Sequence, residues 1–300
     1  MKKVIRRATI ALVVLVLVAA GAFGVLVWMG ERKLERKLEV RVVPVPYTRD
    51  RNALKQGKYL FESRGCAECH GSDGRGVVVV DSPGGMRVKA PNITTGPGGV
   101  VAGYNEGDWV RAIRHGVAPS GHALMVMPSE DYNRMSDADF AALVAYVRSL
   151  PPVPGEPAEF KLPLIVKALY GADFVKDAAE KIDHRRPPAT PVAVGATAEH
   201  GAYVAAMCAG CHRPTLKGGP IAGAPPEWPP AADLTPAGAM ARYDTPDKFT
   251  AMMRTGKRPD GSEVSKVMPF MTLRNLNDTD LQALHLYLRS LPPEGVRQAS

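Results

Sequence analysis

The sequence predicts an all-α protein: two copies of one helical domain of about 100 residues, placed behind a single apolar helix. Three observations predict it. Residues 8–29 form a 22-residue run without a charge. All four cysteines fall in two pentapeptides of one pattern, Cys66-Ala-Glu-Cys69-His70 and Cys208-Ala-Gly-Cys211-His212. The residues around those pentapeptides then recur in register along the chain.

The apolar run comes first. As a helix rising 1.5 Å per residue it spans about 33 Å, enough for a hydrocarbon core of about 30 Å. A cleaved signal peptide competes, with Lys2 to Arg7 as its basic region and Val18-Ala19-Ala20 before the cut. Cleavage there leaves Ala22 to Met29 as an apolar N-terminus in water, so the sequence favours an uncleaved anchor. Four Lys/Arg precede the run and five follow it, so the positive-inside rule does not orient it alone. Glu31 to Glu39, with Leu34 and Leu38 one turn apart among acid–base pairs, predicts that the helix continues into water.

The net charge of +8 belongs to this segment. Residues 1–41 hold nine Lys/Arg against three Glu, whereas the remainder carries 29 basic and 27 acidic side chains. No basic stripe is left to track a phosphate backbone, and nucleic-acid binding is excluded as a function class. The 29 Gly and 27 Pro make the chain loop-rich without reaching a disordered composition. Aromatic residues are only 6% of the chain, sparse for two separate cores, so another apolar body is needed to fill them.

The pentapeptides identify that body. Cys-x-x-Cys-His is the pattern of c-type haem attachment. Two thiols three residues apart on one turn add to the two vinyl groups of a haem, and the adjacent imidazole reaches the iron. Cys66, Cys69, Cys208 and Cys211 are therefore the candidate attachment residues, and His70 and His212 the proximal ligands, of two covalent haems. A thioredoxin-like pair needs a βαβ setting that the sequence does not offer. A zinc site would need both units to converge on one metal.

The repeat supplies the sixth ligand. His70 precedes Met127 by 57 residues and His212 precedes Met268 by 56, and each Met is followed by Pro. Tyr146 and Tyr287 each lie 19 residues beyond their Met. Pro91-Asn92-Ile93-Thr94 matches Ala232-Asp233-Leu234-Thr235, and Trp109 to Gly116 matches Phe249 to Gly256. Met127 and Met268 are the candidate distal ligands, with Met125 and Met271 as local competitors. His115 and His122 could form a bis-His haem in the first copy, but the second copy has Thr255 and Ser262 there.

Three helices are predicted per copy: one entering each Cys-x-x-Cys-His, one opening near Asn105 or Asp244, and one opening at Ser136 or Asn277. The last ends at Arg-Ser-Leu-Pro-Pro, where proline stops it. Gly57 and Gly201 in the first helix would let the last helix approach closely near Tyr146 or Tyr287. No strand-type alternation competes.

Gly57-Lys-Tyr59, Cys66 to His70, Pro91 to Thr94, Met127-Pro128, Asp137 to Tyr146 and Leu150 to Val153 together resemble a class I cytochrome c domain. More specifically they resemble the repeats in the cytochrome subunit of membrane-bound alcohol and sugar dehydrogenases. The resemblance covers residues 53–153 well and 198–293 more loosely. It implies covalent haem c, periplasmic exposure, and electron transfer from a dehydrogenase to quinone or oxidase. Those subunits carry three haem motifs; this chain has two, with its anchor at the N-terminus.

The expected organisation is thus an anchor and juxtamembrane helix (1–41), a first cytochrome c domain (42–153), a linker (154–197) and a second domain (198–300). The linker reads as extended at its Pro-rich ends, with apolar Leu162 to Tyr170 packed on a domain between them. The expected function is a periplasmic, single-pass dihaem carrier between a dehydrogenase or quinol-oxidising complex and a terminal acceptor. A dihaem peroxidase or thiosulfate-oxidising enzyme would need an open iron, and the matched copies argue against one. A dihaem subunit of a haem–copper oxidase shares the layout, but only Trp28 stands by the membrane.

Overall fold

The computed structural model describes residues 1–221, 224 and 227–296. Helix α1 (Lys2–Leu34) holds the apolar run and, among the described residues, is the one helix long and apolar enough to cross a membrane. It ends sooner than its charge pattern predicts. Beyond Glu35 the Arg36 guanidinium pairs with Asp177 at 2.5 Å and Glu180 at 3.1 Å. Leu38 N–H then donates to Gly121 O at 2.8 Å. Tertiary partners thus replace the last predicted turn.

Each copy then builds three main helices in the same order. In the first these are α2 (Arg51–Ser63), a five-residue α3 (Cys66–His70), α4 (Glu106–His115), a short α5 (Ser129–Tyr132) and α6 (Asp137–Ser149). Asn105 and Asp108 close a reciprocal capping box on α4, and Ser136 accepts from Asp139 N–H at the start of α6. In the second copy α8 (Ala198–Ala205) passes through a 3₁₀ turn into α9 (Ala209–His212), followed by α10 (Pro246–Thr255), α11 (Phe270–Leu273) and α12 (Asp278–Ser290). Asn277 caps α12 as Ser136 caps α6.

The first and last helices of each copy cross at a glycine. A Cβ on Gly57 would lie 1.9 Å from Ala142 O and 2.8 Å from Tyr146 Cβ. One on Gly201 would lie 2.0 Å from Ala283 O and 2.7 Å from Tyr287 Cβ. Any side chain there would force the helices apart. Each crossing seals its own core, around Leu60, Phe61, Trp109, Phe140 and Leu143 in the first copy. Val204, Phe249, Leu281, Leu284 and Leu288 do the same in the second.

Two departures from the sequence reading concern residues 78–189. A small antiparallel sheet orders β1 (Val78–Asp81), β2 (Arg87–Lys89) and β3 (Glu159–Lys161) in sequence. Strands of three or four residues are too short to show an alternating pattern. In addition, much of the expected linker folds back. β3 pairs with β2, helix α7 (Leu164–Gly171) packs on α1, and Ala178 and Ala189 N–H donate to Leu124 O and Arg134 O. The apolar stretch at 162–170 therefore packs against the end of the apolar helix.

The two copies meet through an exchanged set of contacts. Tyr59 of the first donates its hydroxyl to Asp280 at 2.6 Å and accepts from Asn277 N–H. Tyr203 of the second donates to Asp139 at 2.6 Å and accepts from Ser136 N–H. Each first helix thus binds the N-terminal turn of the other copy's last helix, the self-complementary pattern of a two-fold interface.

Candidate haem centres

Gly65, at φ 86, turns the chain from α2 into α3, and Tyr132 O–H holds that corner by donating to Arg64 O at 2.6 Å. None of the four cysteines pairs in a disulfide. Burial pushes the Cys66 and Cys208 thiols up to about 12. Among the described residues no three His, Cys, Asp or Glu side chains converge as a metal site.

The two histidines are oriented alike. His70 Nδ1 lies 3.0 Å from Pro91 O, and His212 Nδ1 lies 2.7 Å from Ala232 O. Donation through Nδ1 fixes the tautomer and leaves the Nε2 lone pair for a ligand. Burial holds both imidazoles below their usual value, so they are neutral at pH 7. The sequence marks the positions of the two carbonyls through the matched Pro91 and Ala232, but not their role, since any residue supplies a carbonyl.

Met127 and Met268 also share one geometry. Their carbonyls accept from Ser129 N–H at 2.8 Å and Phe270 N–H at 2.6 Å, through the bend at Pro128 and Pro269. Met127 packs on the same apolar cluster as Cys66, and Met268 on the same cluster as Cys208. A cavity of about 420 Å³ opens against Met268 and Val264; Glu68 of the first attachment segment also lines it, whereas Cys208, Cys211 and His212 do not. Of the competitors, Met271 is mostly exposed and its sulfur faces Arg274. His115 stacks on His184 with their Nδ1 atoms 3.0 Å apart, and His122 bonds Ser120.

These residues fit a haem. The buried indole N–H of Trp109, in the cluster that holds Cys66 and Met127, finds no acceptor among the described residues. Such an orphan donor suits an added group that brings its own carboxylates. Phe249, the matched residue in the second copy, has no donor to offer.

One further charge stands at the second centre. Asp131 accepts from Gly210 N–H, inside the second attachment segment, at 3.2 Å. Burial, with Glu130 beside it, pushes its carboxyl up to about 7. Four residues after Met127, it corresponds to Thr272, which lies against Gly65 in the first segment. Sequence reading passed over it because a carboxylate on a one-turn helix, matched only by Thr272 in the other copy, carries no pattern.

The cytochrome c family profile matches residues 54–151 and 198–292. The fructose dehydrogenase cytochrome subunit of Gluconobacter japonicus is 27% identical over 281 residues, covering 83% of this chain and 54% of that one. The cytochrome c subunit of quinone alcohol dehydrogenase from Gluconacetobacter polyoxogenes is 27% identical over 274 residues, covering 81% and 57%. A diheme cytochrome c-type protein of Cereibacter sphaeroides is 26% identical over 271 residues, covering 79% and 85%. The chain spans about half the length of the two dehydrogenase subunits.

Proposed function

The chain belongs to the cytochrome c family, electron-transfer proteins with covalently bound haem c, and from that premise we propose a membrane-anchored dihaem electron relay. Cys66 and Cys69 would tether one haem, with His70 and Met127 to hold its iron. Cys208 and Cys211 would tether the other, with His212 and Met268. Helix α1 crosses the cytoplasmic membrane with Lys2 to Arg7 inside, and the domains at 42–153 and 198–300, joined by residues 154–197, face the periplasm. The relay takes electrons from a dehydrogenase or quinol-oxidising complex and delivers them to a terminal acceptor. Relatives named as dehydrogenase cytochrome subunits support that donor class.

Bound haem supplies a one-electron iron couple. The protein supplies everything that makes the couple a carrier. Pro91 and Ala232 carbonyls fix the imidazoles, and the Met turns present thioethers, soft donors that favour reduced iron. The observation that carries the proposal is the recurrence of both geometries in both copies. His and Met offered at both sites would favour transfer over turnover, and thus a carrier over a peroxidase or thiosulfate-oxidising enzyme.

The test is haem content and carbon monoxide binding of the full chain purified in mild detergent. Two covalent haems are expected, falling to one in Cys66→Ala/Cys69→Ala, and the reduced protein should barely bind carbon monoxide. Met268→Ala should open one of the two irons. Fast carbon monoxide binding by the unmutated protein, with peroxide or thiosulfate turnover, would overturn the carrier reading.

A further inference from the structure

We propose that residues 164–174 form a second membrane-contacting element, lying in the head-group layer of the bilayer that α1 crosses. This rests on the anchored reading above. Helix α7 meets α1 at two glycines. A Cβ on Gly30 would lie 2.1 Å from Lys167 O, and one on Gly171 would lie 2.2 Å from Leu26 O. The crossing point therefore sits at Gly30, one residue past the end of the apolar run. That is the height at which α1 leaves the hydrocarbon.

The crossing is locked by charge on its water side. Lys33 bonds Asp173 at 2.5 Å and Glu180 at 2.8 Å, Arg36 pairs with Asp177, and Lys167 pairs with Glu31 at 2.9 Å. Ala168 and Tyr170 are buried in the contact. The opposite side of α7 is apolar and uncovered. Leu164 and Ile165 are each 57% exposed, and Phe174, just past the helix, is 77% exposed. Asp173, at φ 62, turns the chain at the end of α7, and Phe174 N–H donates back to Leu169 O at 2.9 Å.

Continuity with α1 decides what covers this face. The exposed Trp28 stands at the same end of the apolar run, the usual position of an interfacial indole, with the Arg32 guanidinium 5.7 Å over its ring. Arg32 and Lys176 are exposed beside the patch, placed for anionic head groups. A patch that borders a membrane-crossing segment, carries a cationic rim and is rigidly joined to that segment fits a bilayer surface. Two contacts, one through the bilayer and one on it, would fix the orientation of the first copy relative to the membrane.

The experiment uses the full, haem-loaded chain in phosphatidylcholine–phosphatidylglycerol vesicles containing a lipid with a photoreactive acyl chain, with adducts mapped by peptide mass. Adducts are expected at 164–175 as well as at 8–29. In Ile165→Ser/Phe174→Ser, two exposed sites, the 164–175 adducts should fall about tenfold while those on α1 and the haem content stay unchanged. Adducts on α1 with none at 164–175, as water or a protein neighbour on α7 would give, overturn the inference alone. Adducts at neither segment overturn the anchored reading and this inference with it.

Discussion

The first repeat is braced and the second is comparatively bare. Residues 1–197 wrap the first with the sheet β1–β3, the α1–α7 crossing and the His115–His184 stack. The second repeat has no counterpart to these among the described residues, and its attachment segment follows α8 through a 3₁₀ turn where the first is set off from α2 by the turn at Gly65. Even the exchanged contacts between them are unequal. The buried Asp280 of the second repeat receives Tyr59, the Arg64 guanidinium at 3.0 Å and its own buried His200 at 2.8 Å. Among the described residues Asp139 of the first receives neutral groups alone, Tyr203 and Gln56. A common fold thus leaves the inter-repeat joint anchored mainly at one carboxylate, and the charge that anchors it comes from the braced repeat.

Breaking that joint should give the largest effect. Asp280→Asn strands the buried Arg64 charge and should cost about 3–5 kcal/mol, whereas Asp139→Asn should cost about 1 kcal/mol. Urea unfolding of the haem-loaded chain measures both, and equal losses would contradict the inequality. The joint is also acid-sensitive. Burial opposes the charge on Asp280, but Arg64 with hydrogen bonds from Tyr59 and His200 holds it below the usual carboxylate range. Its stabilisation is therefore complete above the unfolded value of about 3.9 and disappears as pH falls through the lower folded value. In Asp280→Asn that acid loss should be absent.

Asp131 sharpens the comparison between the two centres. Its carboxyl, pushed up to about 7 at the second attachment segment, has only Thr272 as its counterpart at the first. Ionisation above pH 7 adds a negative charge that favours oxidised iron, so the second haem's potential should fall as pH rises from 6 to 8 while the first stays nearly level. Asp131→Asn should remove that slope, raising the second potential at pH 8 by tens of millivolts, on the order of one screened charge interaction. The sign for stability follows from the same shift. A folded value above the unfolded one means stability declines between about pH 4 and 7, and the Asn variant should lose that decline too. Spectroelectrochemical titration at several pH values separates the two haems, and parallel slopes would remove Asp131 as the source of asymmetry.

How far the sequence reached follows the range of each interaction. The N-caps at Ser136 and Asn277 were legible because a cap is local. Gly57 and Gly201 were legible because the repeat paired each with a Tyr of the last helix. The end of α1 at Leu34 was not, because Asp177 and Glu180, which take over Arg36, lie far along the chain. At the candidate centres the Cys, His and Met positions could be named from spacing alone. The Pro91 and Ala232 carbonyls had register but no side-chain signature, and the orphan N–H of Trp109 becomes visible only once burial is known. The Tyr59–Arg64–Asp280 joint was invisible because it depends on how two repeats dock, which no pattern within one repeat encodes.

The smallest predicted effect tests the imbalance at one residue. Directly after the candidate proximal histidine, the backbone adopts φ 75, ψ 159 at Gly71 and φ 64, ψ 160 at Arg213. Glycine reaches this region freely, whereas a residue with a Cβ is strained there by about 1–3 kcal/mol. The second repeat therefore carries a strain beside its attachment segment that the first avoids. Among the described residues the Arg213 side chain recovers little of it, its guanidinium making a long 3.5 Å contact with Pro220 O. Arg213→Gly should stabilise the haem-loaded second repeat by about 1 kcal/mol, and Gly71→Arg should destabilise the first by at least as much. Urea titration of the full chain, following loss of each iron's thioether ligation, reads the two repeats separately. An Arg213→Gly variant no more stable than the parent would mean that the guanidinium contact outweighs the backbone strain, and that the second repeat is not the strained one.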